Sequence, residues 1–322
     1  MLVGIDIGGT KCGVCCGEVS GNSAMIHKKL QFPTPQDGNP YAVLDLFCEK
    51  IKQLMPEKDI DAIGISCGGP LDSSSGMILS PPNLPGWDNV DIVTFFQEQY
   101  GVPVYLQNDA NACAMAEWKL GAGQGLSSLI FLTCGTGMGA GLILDGRLYH
   151  GASDLAGEVG HIRLDRFGPS GFGKSGSFEG FCSGGGIAQL ARAKALEQLQ
   201  LGKQTAYCKS YAELDGITAK SVADCAYAGD ALAREVYEIS AEKLGMALSL
   251  LVDLLNPQAI IIGSIFTRSR DLLWDGARHV MERECIPVSY GACEVKSAQL
   301  DDDIGNYAAL ITATGLGQIK EP

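Results

Sequence analysis

The chain has 322 residues, more than one hydrophobic core usually accommodates, so its length predicts two domains. Apolar residues make up 46% of it, which excludes a mainly disordered chain. The net charge of −13 and the pI of about 4.7 argue against nucleic acid or an anionic membrane as a main partner, because both require a basic face. A small anionic ligand stays compatible with this charge, since backbone amides and a metal ion can hold it.

Twelve cysteines are scattered along the chain, and several lie in apolar runs, such as Cys134 in LIFLTCGTG. This distribution is typical of core thiols in a reducing compartment rather than of a disulfide framework. Cys12, Cys15 and Cys16 lie close together, but the alternation around them indicates a strand, so we interpret them as structural rather than metal-binding.

No charged region precedes the apolar pattern that begins at Leu2, so we expect no signal peptide. The most apolar segment, residues 247–263, is interrupted by Asp253, Asn256 and Pro257, which argues against a transmembrane helix. We therefore expect a soluble, cytoplasmic protein.

Strands and helices alternate along the first third of the chain, as expected for an α/β fold. The start, MLVGIDIGGTKCGVCCGEV, predicts a strand, a Gly-Gly turn and a second strand. The elements predicted next are a helix at 41–55, a buried strand at 61–69, a long proline-containing loop, a helix at 91–100, a strand at 102–109 and a helix at 110–121.

The second half opens as the first does, with a strand at 127–137, a glycine-rich turn containing Thr, and another strand at 139–149. The chain is then mainly helical from about Gly185, with one more strand at 259–264 and a final helix near 305–317. The stretch GAGQG (121–125) has the composition of a hinge. We therefore predict an N-terminal domain of residues 1–120, a C-terminal domain of residues 121–304, and a final helix (305–322) that packs back on the first domain.

Residues 168–175, GPSGFGKS, match the G-x-x-x-x-G-K-S pattern of a phosphate-binding P-loop. A P-loop follows a buried strand and opens into a helix. Here the preceding HIRLDRF is charged, and the following SGSFEGFCSGGG is so rich in Gly and Ser that we expect helical structure only after Gly186. Because the chain contains 42 glycines, chance matches are expected, and we predict that this segment is not a P-loop.

Two other turns suit phosphate better, at 6–11 (DIGGTK) and 133–139 (TCGTGMG), because their glycines let backbone N–H groups approach phosphate oxygens. Asp6 can hold Mg²⁺ directly or through water. One such turn can be an ordinary hairpin, whereas one in each half favours nucleotide binding. The predicted nucleotide-binding residues are Asp6, Gly8, Gly9, Thr10, Lys11, Thr133, Gly135, Thr136 and Gly137.

The chain resembles the ROK family (repressors and sugar kinases) of the actin-like ATPase superfamily. The resemblance rests on DIGGTK, LQNDANACAMAEWKLG, LTCGTGMGAGLILDGRLYHGASDLAGEVGHIRLD and LNPQAIIIGS, in that order. It implies two actin-like (ribonuclease H-like) α/β domains with a cleft between them, Mg²⁺ and ATP as cofactors, adenosine near Gly263, and a homodimer. The family phosphorylates glucose, related hexoses or N-acetylated hexosamines, or responds to sugars as repressors with a helix-turn-helix, for which Asp6 lies too near the start.

The resemblance assigns Asp109 as the catalytic base, with Mg²⁺ at Asp6. The alternative for Asp109 is a helix N-cap, since a helix follows it. Where the family usually has Glu, this chain has Gln107, which we expect to change local charge without removing the base. The substrate-binding residues that the resemblance implies are Gly68, Asn83, Asn108, Glu158, His161 and Glu179. Without the resemblance, Glu158 and His161 would be interpreted as a surface pair, and for Trp87 core packing is as plausible as substrate contact.

In the family, GEVGH is followed by a loop in which His and three Cys bind zinc. The corresponding positions here hold Ser170, Phe172 and Ser177, which cannot replace thiolates, so we predict no zinc. Phe172 is expected to fill the vacated volume by apolar packing, and what orients His161 is left open.

Two functions stay open: an ATP:sugar phosphotransferase of the glucokinase type, and a sugar-binding regulator without catalysis. Asp109 favours the first, because a pure sensor needs no base. The sugar, the interface of the dimer and the role of residues 198–217 do not follow from the sequence.

Overall fold

The computed structural model describes residues 1–35, 38–56 and 59–318. The strands within these ranges are β1 (Leu2–Ile7), β2 (Lys11–Ser20), β3 (Ser23–Pro33), β4 (Ala62–Cys67), β5 (Leu71–Asp72), β6 (Met77–Leu79), β7 (Asp88–Asp91), β8 (Val104–Asn108), β9 (Leu129–Cys134), β10 (Met138–Leu144), β11 (Arg147–Leu148), β12 (Ser170–Gly171), β13 (Lys174–Ser175), β14 (Ala259–Ile262) and β15 (Glu294–Ser297).

The α-helices in the described residues are α1 (Pro40–Leu54), α2 (Ile92–Tyr100), α3 (Asp109–Leu120), α4 (Phe178–Cys182), α5 (Gly184–Gln200), α6 (Ala219–Tyr227), α7 (Ala231–Leu255), α8 (Ile265–Arg268), α9 (Arg270–Glu284), α10 (Pro287–Ala292) and α11 (Ile304–Ala313). Short 3-10 segments lie at Val159–His161, Tyr211–Gly216 and Asp301–Asp303. Residues 319–322 of the predicted final helix lie outside the described residues. Within the described chain, no helix is both long and apolar enough to cross a membrane.

The chain divides into two compact units. Unit 1 comprises Met1–Phe131, Gly141–Ala156 and the described part of Ala298–Pro322, and unit 2 comprises Leu132–Ala140 and Gly157–Ser297. The chain therefore passes from unit 1 to unit 2 within β9 and returns to unit 1 within β10. The sequence predicted this border at the GAGQG stretch.

The GAGQG stretch is held firmly inside unit 1. Trp118 donates from Nε1 to the carbonyl of Leu126 at 2.7 Å, and the buried carboxylate of Glu117 accepts from the amide of Ala122 at 2.8 Å. The other oxygen of Glu117 accepts from the amides of Gln299 and Leu300, both at 2.8 Å. These bonds tie the turn to α3 and to the C-terminal segment of unit 1.

Unit 1 contains a five-stranded sheet in the order β3-β2-β1-β4-β8. Strands β1 and β2 form the predicted antiparallel hairpin, and β1, β4 and β8 run parallel. Strand β3 was not predicted, because it is an edge strand with most of its side chains in solvent and so lacks a long apolar alternation. The proline-containing region predicted as a loop holds the small sheet β5-β6-β7, which buries Leu71, Ile78 and Val90.

Helix α11 packs on β1, β4 and α3. The approach to the sheet is very close at two glycines. A Cβ on Gly4 would lie 2.9 Å from Ala309 Cβ, and one on Gly64 would overlap the carbonyl oxygen of Ala309 and the amide of Ala313. The glycines of β1 and β4 are therefore required for helix α11 to lie where it does.

A second sheet has the order β11-β10-β9-β14-β15, with β14 parallel to β15. The remaining helices, from α4 to α10, belong to unit 2, as the helical composition after Gly185 predicted. Residues 198–217 contain the end of α5, a bridge between Thr205 and Cys208, and the 3-10 segment Tyr211–Gly216.

We expect Gly64→Ala to lower the free energy of unfolding by about 2–4 kcal/mol, because the new methyl group must displace the backbone of α11 from β4. Urea denaturation measures the effect. Gly291→Ala is the matched control: it lies in α10, a Cβ there meets nothing within 4 Å, and we expect no loss. Equal stability of the two variants would contradict the close approach of α11 to the sheet.

Candidate active site

The carboxyl ends of β1, β4 and β8 meet at one edge of the unit 1 sheet, where ligands of open α/β sheets usually bind. The register pairs Asp6 with Ser66, and Cys67 with Asn108, so the residues that follow these strands come together. A Cβ built on Gly68 lies 3.9 Å from Oδ2 of Asp109. The predicted residues Asp6, Gly68, Asn108 and Asp109 are therefore neighbours.

The turn between β1 and β2 is tight because both of its glycines are in contact with backbone. The amide of Gly8 donates to the carbonyl of Lys11 at 3.2 Å, and a Cβ on Gly8 would lie 2.7 Å from that same oxygen. A Cβ on Gly9 would lie 2.7 Å from both Cβ and O of Asn83. The turn thus packs on the predicted sugar-contacting Asn83, while the side chains of Thr10 and Lys11 are exposed to solvent.

Asp6 and Asp109 both have raised pKa values. Burial, then the negative charge of Asp109, raise the pKa of Asp6 to about 6, against the opposing charge of Lys11. Asp109 is solvent-accessible, but the protein mass around its carboxylate removes enough water to raise its pKa as well. Gly305, the second residue of α11, lies against the Asp6 carboxylate, since a Cβ there would be 2.6 Å from Oδ2. Two neighbouring carboxylates of this kind are a donor set that suits a divalent cation.

The cap of α3 is Asn108, not Asp109. The side-chain oxygen of Asn108 accepts from the amides of Ala110 and Asn111 at 3.0 and 3.4 Å. Gln107 is fully buried and accepts from the amide of Asn108 at 2.9 Å and from Nδ2 of Asn111 at 3.2 Å. A neutral side chain therefore holds the backbone next to Asp109. Oδ1 of Asp109 also accepts from the amide of Ala110, at 2.7 Å, so the carboxylate shares this amide with the Asn108 cap.

In unit 2, the turn after β9 is closed by Thr133 and by two glycines. Oγ1 of Thr133 accepts from the amide of Gly139 at 2.9 Å, and the amide of Gly135 donates to the carbonyl of Gly137 at 3.1 Å. The amide of Gly184, at the start of α5, donates to the carbonyl of Gly135 at 2.8 Å. Thr136 at the tip is exposed.

Gly263 lies beside this turn, because its amide donates to the carbonyl of Leu132 at 3.0 Å. The next residue, Ser264, has a φ of 53°, an unfavourable conformation for a residue with a side chain, and its Oγ lies 4.0 Å from a Cβ built on Gly135. The predicted nucleotide-binding residues of unit 2 are therefore neighbours, with Gly263 buried beside the exposed turn.

Glu158, His161 and Glu179 are brought together by close packing against β10. A Cβ on Gly160 would overlap the carbonyl of Met138 and lie 3.3 Å from Cβ of Glu179. Oε2 of Glu179 accepts from the amide of Met138 at 2.9 Å, so the predicted sugar ligand also fixes the end of the glycine turn. The amide of His161 donates to the carbonyl of Glu158 at 3.1 Å across the 3-10 segment.

The P-loop pattern at 168–175 forms the small hairpin β12-β13, with no strand–loop–helix arrangement. Nζ of Lys174 donates to the carbonyl of His161 at 2.7 Å, so the lysine of the pattern is engaged within the protein. The expectation that helical structure resumes only after Gly186 is wrong: α4 begins at Phe178 and α5 at Gly184. Serine caps explain this, since Ser177 and Ser183 each accept from a backbone amide three residues ahead, at 3.1 Å.

The three positions aligned with zinc-binding cysteines have other surroundings. Ser177 is buried as the cap of α4, and Ser170 is exposed in β12. The expectation that Phe172 fills a vacated volume is wrong, because its side chain is 65% exposed. Its ring instead meets the edge of His161, with centroids 5.1 Å apart at 85°. Within the described residues, no three His, Cys, Asp or Glu side chains come close enough together to hold a metal.

Trp87 is 2% exposed and belongs to the core of unit 1, which favours core packing over substrate contact. Sequence reasoning overlooked the residues that support the site, chiefly Lys174, Gln189 and Glu117. Their partners are backbone groups distant in sequence, which no local pattern reveals.

The chain belongs to the ROK family, whose model matches residues 2–315. It is 31% identical over 310 residues to a glucokinase of Halalkalibacterium halodurans, covering 94% of this chain and 92% of that protein. It is also 31% identical over 262 residues to a xylose repressor of Caldicellulosiruptor bescii, covering 81% of this chain and 64% of the repressor.

Among solved structures, a ROK family glucokinase from Streptomyces griseus, in complex with glucose and AMPPNP, matches with a TM-score of 0.78 at 30% identity, covering 98% of this chain and 99% of that one. The predicted family and actin-like α/β fold class are confirmed. The similarities support a sugar kinase, in a family that also contains repressors.

We expect Asp6→Asn to raise the free energy of unfolding at pH 8 by about 2 kcal/mol and to leave it nearly unchanged at pH 4. The folded pKa of Asp6, about 6, exceeds the unfolded value, so its contribution favours folding at low pH and is lost as pH rises through 6. Urea denaturation at both pH values measures the difference.

Asp72→Asn is the matched control, because hydrogen bonds from Ser74 and Ser75 lower the pKa of Asp72 to about 2. Asp72 stabilises the fold above pH 4 and loses that contribution as pH falls toward 2, so its replacement should lower stability at pH 8. A destabilised Asp6→Asn protein at pH 8 would contradict the cost assigned to burying the Asp6 charge beside Asp109.

Proposed function

We propose that the protein is an ATP- and Mg²⁺-dependent sugar kinase that phosphorylates a hydroxyl of a hexose or an N-acylated hexosamine, with Asp109 as the general base. The observation that carries this proposal is the pair of carboxylates with raised pKa values, Asp6 and Asp109, beside a glycine turn at the carboxyl edge of a parallel sheet. The similarity to a glucokinase, and to a glucokinase structure with glucose and AMPPNP, supports both substrates.

The proposed role of Asp109 is proton transfer. As the sugar hydroxyl oxygen bonds to the γ-phosphorus and the bond from that phosphorus to the β,γ-bridging oxygen breaks, the hydroxyl proton passes to the Asp109 carboxylate, and ADP leaves. A raised pKa improves this base, because a carboxylate with a pKa nearer neutrality accepts a proton more readily. Asn108 caps α3 through the amides of Ala110 and Asn111, so these two amides keep an acceptor when Asp109 takes up a proton.

The proposed phosphate contacts come from the glycine turns. Gly8 and Gly9 are partly exposed in the turn, and the side chains of Thr10 and Lys11 next to them are exposed. Mg²⁺, bound with the nucleotide, would be held by Asp6 and would supply positive charge where phosphate charge develops. Because the pKa of Asp6 is raised by burial and by Asp109, a cation there lowers the cost of keeping both groups ionised.

The turn of unit 2, Gly135–Gly137 with Thr133, Thr136 and Gly263, is the proposed nucleotide-binding surface of that unit. We assign the sugar hydroxyls to Glu158, His161 and Glu179 in unit 2, and to Asn83, Asn108 and Gly68 in unit 1. Carboxylates, amides and an imidazole suit polyol recognition because they accept and donate hydrogen bonds in fixed geometry.

The second candidate function is a sugar-responsive regulator without catalysis, which the similarity to a xylose repressor favours. The base distinguishes the two, since sugar binding alone does not require Asp109. An ADP-release assay with Mg·ATP over a panel of hexoses and N-acetylhexosamines decides between them. Turnover of one sugar establishes the kinase, whereas calorimetric binding of a sugar without turnover of any supports the regulator.

We expect Asp109→Asn to lower kcat by at least about 100-fold and to change the Kd for the sugar by less than about threefold. The amide keeps the size of the side chain but cannot accept the hydroxyl proton. Steady-state kinetics and calorimetry measure the two effects. Asp45→Asn, on the exposed face of α1, serves as the control and should turn over as the wild type does. Equal turnover of Asp109→Asn and wild type would exclude Asp109 as the base.

We expect kcat/KM for the sugar to decline as pH falls below about 6. Asp6 and Asp109 must be ionised in the free enzyme, and their raised pKa values place that titration above the ordinary range of aspartate near 4. A pH–rate profile with a stability check at each pH measures this. Full kcat/KM down to pH 4.5 would contradict the assignment.

A further inference from the structure

Zinc does not fit the loop of residues 161–179. Oγ of Ser177 is used as a helix cap, accepting from the amide of Gly180 at 3.1 Å, and Phe172 offers no ligand atom. Ser170 is tied through its backbone, whose amide donates to Oε1 of Gln189 at 3.0 Å and whose carbonyl accepts from Nε2 at 2.9 Å. The only remaining member of the family's ligand set is His161, and one imidazole cannot hold the ion.

The loop is instead closed by hydrogen bonds and an ion pair. Nη1 of Arg163 donates to the carbonyl of Ser175 at 2.7 Å, and Oγ of Ser175 donates to the carbonyl of Gly168 at 2.9 Å. Lys243, on α7, pairs with Asp165 at 2.7 Å. These contacts hold the ends of hairpin β12-β13. None of them involves His161, which is contacted by residues nearer the tip of the hairpin.

Two side chains of that tip reach His161. Nζ of Lys174 donates to the His161 carbonyl at 2.7 Å and fixes the backbone of the residue. The Phe172 ring lies 5.1 Å from the imidazole at 85°, an edge-to-face contact that restricts its rotation. Lys174 and Phe172 thus constrain both the backbone and the ring of His161.

Phe172 has an energetically unfavourable backbone conformation, which suggests a function for the residue. Its φ is 44°, which a bulky side chain rarely adopts, and 65% of its side chain is exposed. Next to it, Gly171 lies against Glu179, since a Cβ there would be 2.6 Å from Cβ of Glu179. The tip of the hairpin therefore touches two of the proposed sugar ligands, His161 and Glu179.

We infer that Lys174 and Phe172 are positioning residues that orient His161 for the sugar. This inference rests on the proposed function, because it takes His161 as a sugar ligand. The hairpin that matches a P-loop pattern thus holds the proposed sugar ligand His161 through a lysine and an aromatic ring.

The test compares Lys174→Met, Lys174→Arg, Phe172→Ala and Phe172→Tyr in the full chain. We expect Lys174→Met and Phe172→Ala to raise the sugar KM about tenfold, with kcat within about threefold and the KM for ATP unchanged. Lys174→Arg and Phe172→Tyr, which keep a donor and a ring, should retain a KM near that of the wild type.

Two matched controls come from the same unit. Lys209→Met removes a lysine–carbonyl bond of 2.8 Å within the segment 198–217, which holds no proposed site residue. Phe167→Ala removes an aromatic side chain of the same loop that is 74% exposed and stacks with Arg166. Neither should change the sugar KM, and a rise as large as in Lys174→Met would overturn the inference.

A second readout does not depend on turnover. Nitrogen-15 NMR of histidine-labelled protein, with the His161 signals assigned through His161→Gln, reports the order of the ring. Wild type with no sugar turnover would refute the proposed function but leave this readout intact. Broadened or shifted His161 signals in Lys174→Met and Phe172→Ala support the positioning role, whereas signals identical to wild type overturn it. One zinc per purified chain by elemental analysis would overturn it as well.

Discussion

The closeness of helix α11 to the sheet of unit 1 is the constraint on which the proposed phosphate and base residues depend. Gly4 and Gly64 give no room for a side chain, so α11 lies directly on β1 and β4. Its first turn then meets the carboxylate of Asp6 through Gly305. The burial that raises the pKa of Asp6 is thus a result of how the last helix packs on the first strand.

The parallel strands extend this effect to the base. Because β1, β4 and β8 end at the same edge, Asp6 and Asp109 influence one another although 103 residues separate them along the chain. The buried side chain of Gln107, near the end of β8, carries no charge and accepts a hydrogen bond from the backbone amide of Asn108. A buried carboxylate at that position would add a further negative charge to the pair.

The sequence predicted what depends on local patterns and on family motifs. The hairpin β1-β2 and helices α1 and α3 follow from apolar spacing and from glycine turns, whereas the assignment of Asp6 and Asp109 to one site follows from the family resemblance. The edge strand β3 could not be predicted in this way, because it has too few buried side chains. The short helix α4 could not either, because its start depends on a single serine cap. The contacts of Glu117 could not be predicted for a similar reason: it fixes the GAGQG turn and also accepts from amides far along the chain.

Residues 161–179 contain no cysteine, which affects how sensitive this loop is to oxidants. Zinc-bound thiolates are nucleophilic, so oxidants attack them and the metal is released. The cysteines that this chain does have are of a different kind: burial raises the pKa of Cys67, Cys113 and Cys182 well above the ordinary value, which keeps them protonated and unreactive. If Lys174 and Phe172 hold His161 as proposed, the contacts involve no redox-active atom, and the conformation of the loop would depend neither on zinc nor on oxidation.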